Sequence, residues 1–439
     1  MRALARGATD GTGIMHSMSV WRTWRLPGPG PVMALVAVLT GATVWVLLLR
    51  PVTPLDFRVF YSAGLAVRHG VDPYPAPNAA AVWSGSAFVY PYPAAWLFTS
   101  LAALSVHAAS LLWAILSVAA ITAGVWLLVG ARWGVLLAVL LASPTLDGLQ
   151  MGSVNAVLFL GLAIAWRWRD RMWIMAPTIA LLIALKLFLW PLGLWLLMSR
   201  RWPAALGAAA IGTAIGAVGF QAGPLGPVTY LRLLNQLGAH EVGRGSGLQG
   251  LLVTWGATPP AAEMIGVLGA LALMYVIARR TDPAAPALYV AALAAALFAS
   301  PVVWHHYYLL AAVPLLLLCR PSGAAGWYLL IGWASVAPHP SADVSLIVLT
   351  VVADGVLVLI LLRLLVLHRH RIRPTGSYGR VAGVSAALLL GLLSSVPLAV
   401  VGGRGFVIGL SQAGLPVAAT VALAVAAAAP TWRAGDRPC

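Results

Sequence analysis

The chain has 439 residues, of which 61% are hydrophobic and only 9% are charged. Soluble domains usually carry about a quarter charged residues, so this composition excludes a water-soluble globular fold and predicts an integral membrane protein. The net charge of +16 comes almost entirely from arginines at the ends of apolar runs. Arginines in these places are typical of cytoplasmic membrane anchors, and they argue against a nucleic-acid partner.

Four arginines precede the first apolar run. We therefore expect residues 1–31 to be a cytoplasmic tail and residues 32–50 to be an uncleaved first membrane helix. A polar, aromatic and proline-rich segment follows at 51–92, and it is predicted to be an outer loop. A short helix at 93–106 returns and a long one at 108–129 leaves again. This sidedness places the polar side chains of the first outer loop on the non-cytoplasmic face.

The apolar run at 133–146 is short for a membrane span. We expect it to dip into the bilayer and return, or to pack as a broken helix among its neighbours. The next run, 154–166, ends at an inner arginine cluster. Segments 172–185 and 187–199 then form a predicted hairpin with Lys186, the only lysine in the chain, at its outer tip.

Glycine and proline residues bracket a second predicted outer loop at 223–260. We expect residues 32–320 to form a transmembrane module that holds the site, residues 321–429 to add further membrane helices, and residues 430–439 to be a cytoplasmic tail. The expected fold class is therefore all-α, a polytopic bundle of roughly 12 membrane helices with an outward-facing cavity.

Asp56 stands out among the acidic residues, because it follows the first predicted helix at the mouth of that cavity. A carboxylate there can act as a general base that removes a proton from an attacking hydroxyl. The alternative is structural: Asp56 caps a surface helix or pairs with Arg58. Asp147 likewise has two interpretations, as a second carboxylate of the site or as a helix terminator.

The first outer loop and the start of the helix after it contain the stretches DFRVFY at 56–61, RHGVDPY at 68–74 and FVYPYPAAW at 88–96. These three stretches resemble glycosyltransferase family 87. Its members are GT-C-type membrane enzymes of actinobacteria, and they include polyprenol-phosphate-mannose-dependent α-1,2-mannosyltransferases. In the last stretch, Tyr92 stands where the family usually has a second proline. By this resemblance the module at 32–320 is a GT-C-like catalytic module.

Four later stretches also resemble the family. They are LQMGSVN at 149–155, the hairpin around Lys186, SGLQG at 246–250 and SPVVWHH at 300–306. The stretch at 246–250 lacks the Asn-Gln-Ser of the family motif, which leaves the acceptor open.

The resemblance implies that Asp56 is the general base of an inverting transfer, in which an acceptor hydroxyl attacks the anomeric carbon and a lipid phosphate leaves. A cation near that phosphate stabilises charge that develops in the transition state. The residues expected to bind the donor phosphate are Lys186, His305, His306 and Arg58. The residues expected to bind sugar or acceptor are Tyr61, Tyr92, Gln150, Asn155 and Gln249.

Several of these residues also have a structural interpretation. Lys186 can snorkel to the interface, and the histidine pair can belong to a capped helix start after Ser300 and Pro301. Gln150 and Asn155 can hydrogen-bond between helices as packing residues.

We therefore expect a plasma-membrane enzyme that moves mannose from polyprenyl-phosphate-mannose to a glycolipid or lipoglycan of the cell envelope, through an α-1,2 linkage. Both termini would be cytoplasmic and the site periplasmic. No cofactor is expected, because no nucleotide-binding motif is present, and no tight acidic cluster argues for a metal. The alternatives are an arabinofuranosyltransferase that uses decaprenyl-phosphate-arabinose, and a lipid or solute transporter. A transporter would place its acids and helix breaks near the bilayer midplane.

Overall fold

The computed structural model describes most of the region between residues 54 and 318, in the ranges 54–83, 87–140, 142–245 and 247–318. Within these ranges the chain forms fourteen α-helices and no strand, which confirms the all-α class. The predicted helix at 32–50, the helices at 321–429 and both tails lie outside the described residues, so the predicted helix total is not tested.

The described helices are numbered here in chain order. Helices α1 to α7 are Leu55–Arg68, Tyr92–Thr99, Val106–Val129, Trp133–Leu140, Ser143–Met151, Asn155–Arg167 and Met172–Leu185. Helices α8 to α14 are Pro191–Met198, Trp202–Ala222, Pro227–Glu241, Leu248–Thr254, Pro259–Arg280, Pro286–Ala299 and Ala312–Leu318. By length and composition, α3, α9 and α12 are able to cross a membrane, and several shorter helices are also strongly apolar.

The centre of the described bundle is α13, whose residues are buried on nearly every side. A helix that is apolar all round is one that other helices surround. Its Tyr289 donates a hydrogen bond to the carbonyl of Leu162 on α6 at 2.9 Å. The same ring lies 4.5 Å from the ring of Trp195 on α8. Helices α6, α8 and α13 therefore share one core.

Helix α1 is amphipathic and lies inside the predicted first outer loop. Phe57, Phe60 and Gly64 recur at spacings of three and four and form its buried face. A Cβ at Gly64 would lie 2.7 Å from the backbone of Phe98 on α2, so glycine allows the two helices to touch. The ring of Phe60 stacks on that of Phe98 at 4.7 Å. This packing fixes the first turn of α1, where Asp56 lies.

The apolar run predicted at 133–146 forms two helices, α4 and α5, as the broken-helix alternative expects. Helix α5 ends at Gly152, which has a left-handed φ of 66°. A Cβ there would lie 2.6 Å from Cβ of Phe57 and 2.9 Å from Cβ of Pro54. The indole of Trp113 also donates to the carbonyl of Gly152 at 2.9 Å. The end of α5 is thereby packed against the beginning of α1.

The predicted hairpin around Lys186 is present. Helix α7 ends at Leu185, Lys186 is extended (φ −142°, ψ 100°), and a 3₁₀ turn leads into α8. The end of α8 then lies beside the start of α7, since Arg201 donates through Nε to the carbonyl of Arg169 at 3.1 Å. Lys186 is at the turn of the hairpin, as predicted, and only 7% of it is exposed, because neighbouring aromatic residues cover it.

Both predicted outer loops contain helices, since α1 belongs to the first and α10 and α11 to the second. The two loops also contact each other. Tyr230 donates to the carbonyl of Val89 at 3.0 Å, and Gln236 donates to the side-chain carbonyl of Asn78 at 2.6 Å. These contacts agree with the prediction that the two loops lie on the same side of the protein.

Replacing Gly152 by alanine tests the contact between α5 and α1. Any alanine at a left-handed position costs about 1–2 kcal/mol, and here overpacking adds about 1–3 kcal/mol more. Gly70 is the matched control, because its φ is 68° and nothing lies within 4 Å of an added Cβ. We expect Gly152→Ala to lower the melting temperature of the purified protein well beyond Gly70→Ala. Equal melting temperatures for the two variants would contradict the contact.

Candidate active site

The imidazole of His306 lies between two carboxylates. Its Nε2 is 3.4 Å from Oδ2 of Asp56, and its Nδ1 is 3.3 Å from Oδ2 of Asp147. Nδ1 of His305 lies 3.3 Å from the same oxygen of Asp147. These four side chains, called the Asp–His cluster below, connect α1, α5 and a 3₁₀ segment at His305–Ala311.

The local backbone explains how two consecutive histidines reach one carboxylate. Helix α13 ends before Ser300, whose hydroxyl donates to the carbonyl of Val302 at 2.7 Å. Trp304 is extended, and the 3₁₀ segment then begins at His305. On α5, a Cβ at Gly148 would already lie 3.4 Å from Cβ of His306, so this segment packs directly beside Asp147. The capped-helix interpretation of the pair is wrong, because Ser300 follows the end of α13 and the 3₁₀ segment begins after Trp304 without a side-chain cap.

Asp147 does not terminate a helix, so that interpretation is wrong. Helix α5 continues to Met151 and is closed by the left-handed Gly152. The remaining interpretation, a second carboxylate in the site, agrees with its contacts to both histidines.

Asp56 is the most exposed member of the cluster, with 25% of its side chain exposed, against 18% for Asp147 and 4% for His306. Burial alone would raise the pKa of the Asp56 carboxyl, but the contact with His306 and the charges of His306 and Lys186 outweigh it. The pKa of Asp56 therefore lies below its usual range. A general base must be deprotonated, and Asp56 meets that condition at neutral pH while it remains accessible.

The contact between Asp56 and His306 is an ion pair rather than an aligned hydrogen bond, because Nε2 has no partner of hydrogen-bond geometry among the described residues. Asp147 is held more firmly. Burial alone would raise its pKa, but hydrogen bonds from His305 and His306 together with their charges bring it well below the ordinary value.

Lys186 lies in an aromatic enclosure next to the Asp–His cluster. Its Nζ donates to the hydroxyls of Tyr90 at 2.9 Å and Tyr307 at 2.6 Å, and it lies 4.7 and 4.5 Å from the centres of these rings. No carboxylate lies within ion-pair distance of it in the part of the chain that the structure describes. A buried ammonium without a counter-ion is energetically costly, so this position favours an anionic ligand.

The structure does not bring Arg58 and Tyr61 into the Asp–His cluster. Arg58 is exposed on α1, and the ion pair with Asp56 considered from the sequence is absent among the described residues. The hydroxyl of Tyr61 donates to the carbonyl of Leu104 at 2.9 Å and thereby ties α1 to the start of α3.

The predicted polar ligands of sugar or acceptor lie in different surroundings. Gln150 is half-buried on α5. Asn155 and Gln249 have no exposed surface. Gln249 donates weakly to the carbonyl of Phe298 at 3.5 Å, and both polar side-chain atoms of Asn155 lack a partner among the described residues. Their predicted roles as ligands stay predictions.

Sequence reasoning missed the two phenols that enclose Lys186. Tyr90 belongs to a stretch that resembles the family, and Tyr307 follows the histidine pair directly. The position of Tyr90 and Tyr307 in or next to these stretches was the only sequence feature that could have indicated them. Their contact with Lys186 spans 96 and 121 residues, and no local spacing reports it.

A long apolar groove of about 580 Å³ lies between the α7–α8 hairpin and α9. Ala184 and Leu187, both within two residues of Lys186, belong to its wall. Gly212 and Gly216 of α9 leave it open, since an added Cβ would meet nothing within 4 Å at either position. Tyr92, which is also a predicted ligand of sugar or acceptor, lines the groove. The centre of its ring lies 6.4 Å from that of Tyr74.

Comparison with known protein families gives a match. The model of a family described as glycosyltransferase family 87 matches residues 88–304. This range includes Tyr90, Asp147 and Lys186, and it ends directly before His305. No curated protein matches the chain. Among the described residues, no group of three or more histidines, cysteines and acids has the arrangement to hold a metal ion.

The lowered pKa of Asp147 predicts how stability depends on pH. Ionised Asp147 contributes stability that is fully present above its unfolded pKa of about 4 and is lost as the pH falls below it. The wild type should therefore melt above Asp147→Asn at about pH 5, and the difference should shrink toward about pH 3. Asp170→Asn, at an exposed ion pair with Arg201, is the control. A difference that stays constant over this range would contradict the lowered pKa.

Proposed function

Since the chain belongs to glycosyltransferase family 87, we propose that this membrane glycosyltransferase takes mannose from polyprenyl-phosphate-mannose. The acceptor is a hydroxyl of a cell-envelope glycolipid or lipoglycan, and the new bond is an α-1,2 linkage formed with inversion. The site opens at the outer face of the plasma membrane. Family membership supports a lipid-linked donor and a glycoconjugate acceptor in general terms, and it gives no support to the transporter alternative.

One observation carries the proposal: an accessible, ionised carboxylate lies at one site with a buried ammonium that has no carboxylate partner among the described residues. Asp56 reaches His306 at 3.4 Å, and the residue after His306 is Tyr307, which binds Lys186 at 2.6 Å. A transfer from a sugar phosphate to a hydroxyl needs a base at the hydroxyl and a cation at the phosphate. The chain supplies one of each.

In the proposed reaction the acceptor hydroxyl lies against Asp56. Its proton passes to the Asp56 carboxylate while its oxygen forms a bond to the anomeric carbon. The bond from that carbon to the phosphate oxygen breaks, and the phosphate leaves with the electron pair. The departing phosphate gains one negative charge, which Lys186 stabilises where water is largely excluded. Because His306 contacts the carboxylate of Asp56, we assign His306 a role in supporting Asp56.

The apolar groove supports a lipid carrier. An isoprenoid chain has no polar groups, so it is stabilised along a wall of alanine, leucine and glycine residues. Ala184 and Leu187, which lie two residues before and one residue after Lys186, line the groove. A phosphate bound by Lys186 would therefore have its hydrocarbon tail beside the groove. We propose that the polyprenyl tail of the donor lies between the hairpin and α9.

Replacing Asp56 by asparagine tests the base. General bases contribute about 10²–10⁴-fold to rate, so Asp56→Asn should lower transfer of radiolabelled mannose from polyprenyl-phosphate-mannose to a lipid extract by a factor in this range. Asp72→Asn is the control, because Asp72 only accepts a turn hydrogen bond from the amide of Tyr74 at 2.8 Å. Unchanged transfer by Asp56→Asn removes Asp56 as the base. If the wild type transfers arabinose from decaprenyl-phosphate-arabinose and transfers no mannose, the donor sugar is arabinose.

Filling the groove tests the position of the donor tail. A phenylalanine at Gly216 would project into the groove, since Gly216 lines it and nothing lies within 4 Å of an added Cβ. Each displaced methylene costs about 0.8 kcal/mol, so we expect KM for a long-chain donor to rise about tenfold or more in Gly216→Phe. A donor with one or two isoprene units should be unaffected. Gly269→Phe on α12, equally open but outside the groove, is the control. Equal effects on both donors would contradict this position.

A further inference from the structure

We infer that Asp147 is a positioning residue of the transfer reaction, which fixes the ring of His306 with Nε2 facing the Asp56 carboxylate. The inference rests on the proposed function, because it takes Asp56 to be the base. It is carried by geometry: the two ring nitrogens of His306 lie 3.3 Å from Asp147 and 3.4 Å from Asp56, on opposite sides of one imidazole.

The chemistry of the donors and acceptors fixes the protonation of this ring. An ionised carboxylate accepts hydrogen bonds only, so Nδ1 of His306 carries a proton toward Asp147. The nitrogen that gains or loses a proton is then Nε2. A protonated Nε2 is attracted to the Asp56 carboxylate, whereas a deprotonated one would direct its lone pair at a negative charge. Asp147 therefore favours the imidazolium form of His306 whenever Asp56 is ionised.

The consequence for Asp56 is positional. The imidazolium holds Oδ2 of Asp56 at 3.4 Å and leaves the second carboxylate oxygen to receive the proton of the acceptor hydroxyl. Asp147 itself is 18% exposed and holds two histidines, while Asp56 is 25% exposed and contacts one. The better-shielded carboxylate thus supports the ring, and the more accessible one meets the substrate.

The charges that face His306 agree with this assignment. Carboxylates approach from α1, through Asp56, and from α5, through Asp147. His305 precedes it on its own segment, and Lys186 acts from the hairpin through Tyr307. Helices α13 and α14 contain no charged residue. Two carboxylates thus oppose one ammonium. Burial alone would raise the pKa of Asp147, but the histidine contacts lower it well below its usual range, so its charge persists at neutral pH.

The test measures mannose transfer from polyprenyl-phosphate-mannose as a function of pH between about pH 6 and about pH 11. Burial alone would lower the pKa of His306, but its contacts with Asp147 and Asp56 raise it to about 9. We expect wild-type activity to fall on the alkaline side as His306 loses its proton. An opposite charge at this distance shifts a pKa by about 1–3 units. In Asp147→Asn the alkaline limb should therefore move to lower pH by about one unit or more. The rate constant kcat should fall while KM for the donor stays constant.

Two further variants separate position from folding. Asp147→Glu keeps the charge and should keep the alkaline limb of the wild type. His305→Phe leaves Asp147 intact and removes a competing donor from its carboxylate. It should shift the limb to higher pH, and it decides the matter if Asp147→Asn does not fold. Glu263→Gln, an exposed carboxamide substitution on α12, should reproduce the wild-type profile.

An Asp147→Asn profile that superimposes on the wild-type profile after scaling would overturn the inference, because a purely structural role lowers the rate equally at every pH. A limb that is unmoved in His305→Phe would overturn it as well. Absence of transfer by the wild type itself would instead refute the proposed function, which keeps the two failures distinguishable.

Discussion

The arrangement of the site depends on an imidazole that separates two carboxylates. Asp56 and Asp147 come from helices that pack directly against each other, and two like charges at such a place repel in a poorly hydrated interior. His306 lies between them and contacts both at 3.3–3.4 Å. It converts a repulsive pair into a network that ties α1, α5 and the 3₁₀ segment together.

Positive charge is divided between two surroundings. The imidazole of His306 has carboxylate partners, whereas the ammonium of Lys186 has two phenol hydroxyls and two aromatic faces within the described part of the chain. Phenols orient a cation without neutralising it, so the charge of Lys186 remains available to an incoming anion. A carboxylate in place of Tyr90 would satisfy the lysine and leave a phosphate with little to gain. The two cations of the site are therefore suited to different tasks.

The sequence predicted the parts of this architecture that local patterns determine. The bounds of the helix at 172–185, the break at Lys186 and the division of the run at 133–146 follow from apolar runs and short-segment length. The selection of Asp56, Lys186 and the histidine pair drew on family resemblance. The exposure of these side chains, and the residues that contact them, could not be predicted from local patterns or from the resemblance. Lys186 is covered because Tyr90 and Tyr307 arrive from 96 and 121 residues away. The amphipathic helices of the outer segments were read as loops because proline and polar residues mask their periodicity.

The site coincides with the places where regular helices stop. Lys186 lies in extended backbone between α7 and α8, the histidines begin a 3₁₀ segment, and Asp147 lies on a short helix closed by a left-handed glycine. Irregular backbone at membrane depth is tolerated only where protein or water satisfies its polar groups. By length and composition the long helices α3, α9 and α12 can cross a membrane, and their backbone polar groups are bonded within each helix. Polar side chains at such interruptions gain a fixed direction that a continuous apolar helix does not offer. The same breaks that shorten the helices thus place the reactive groups within reach of one another.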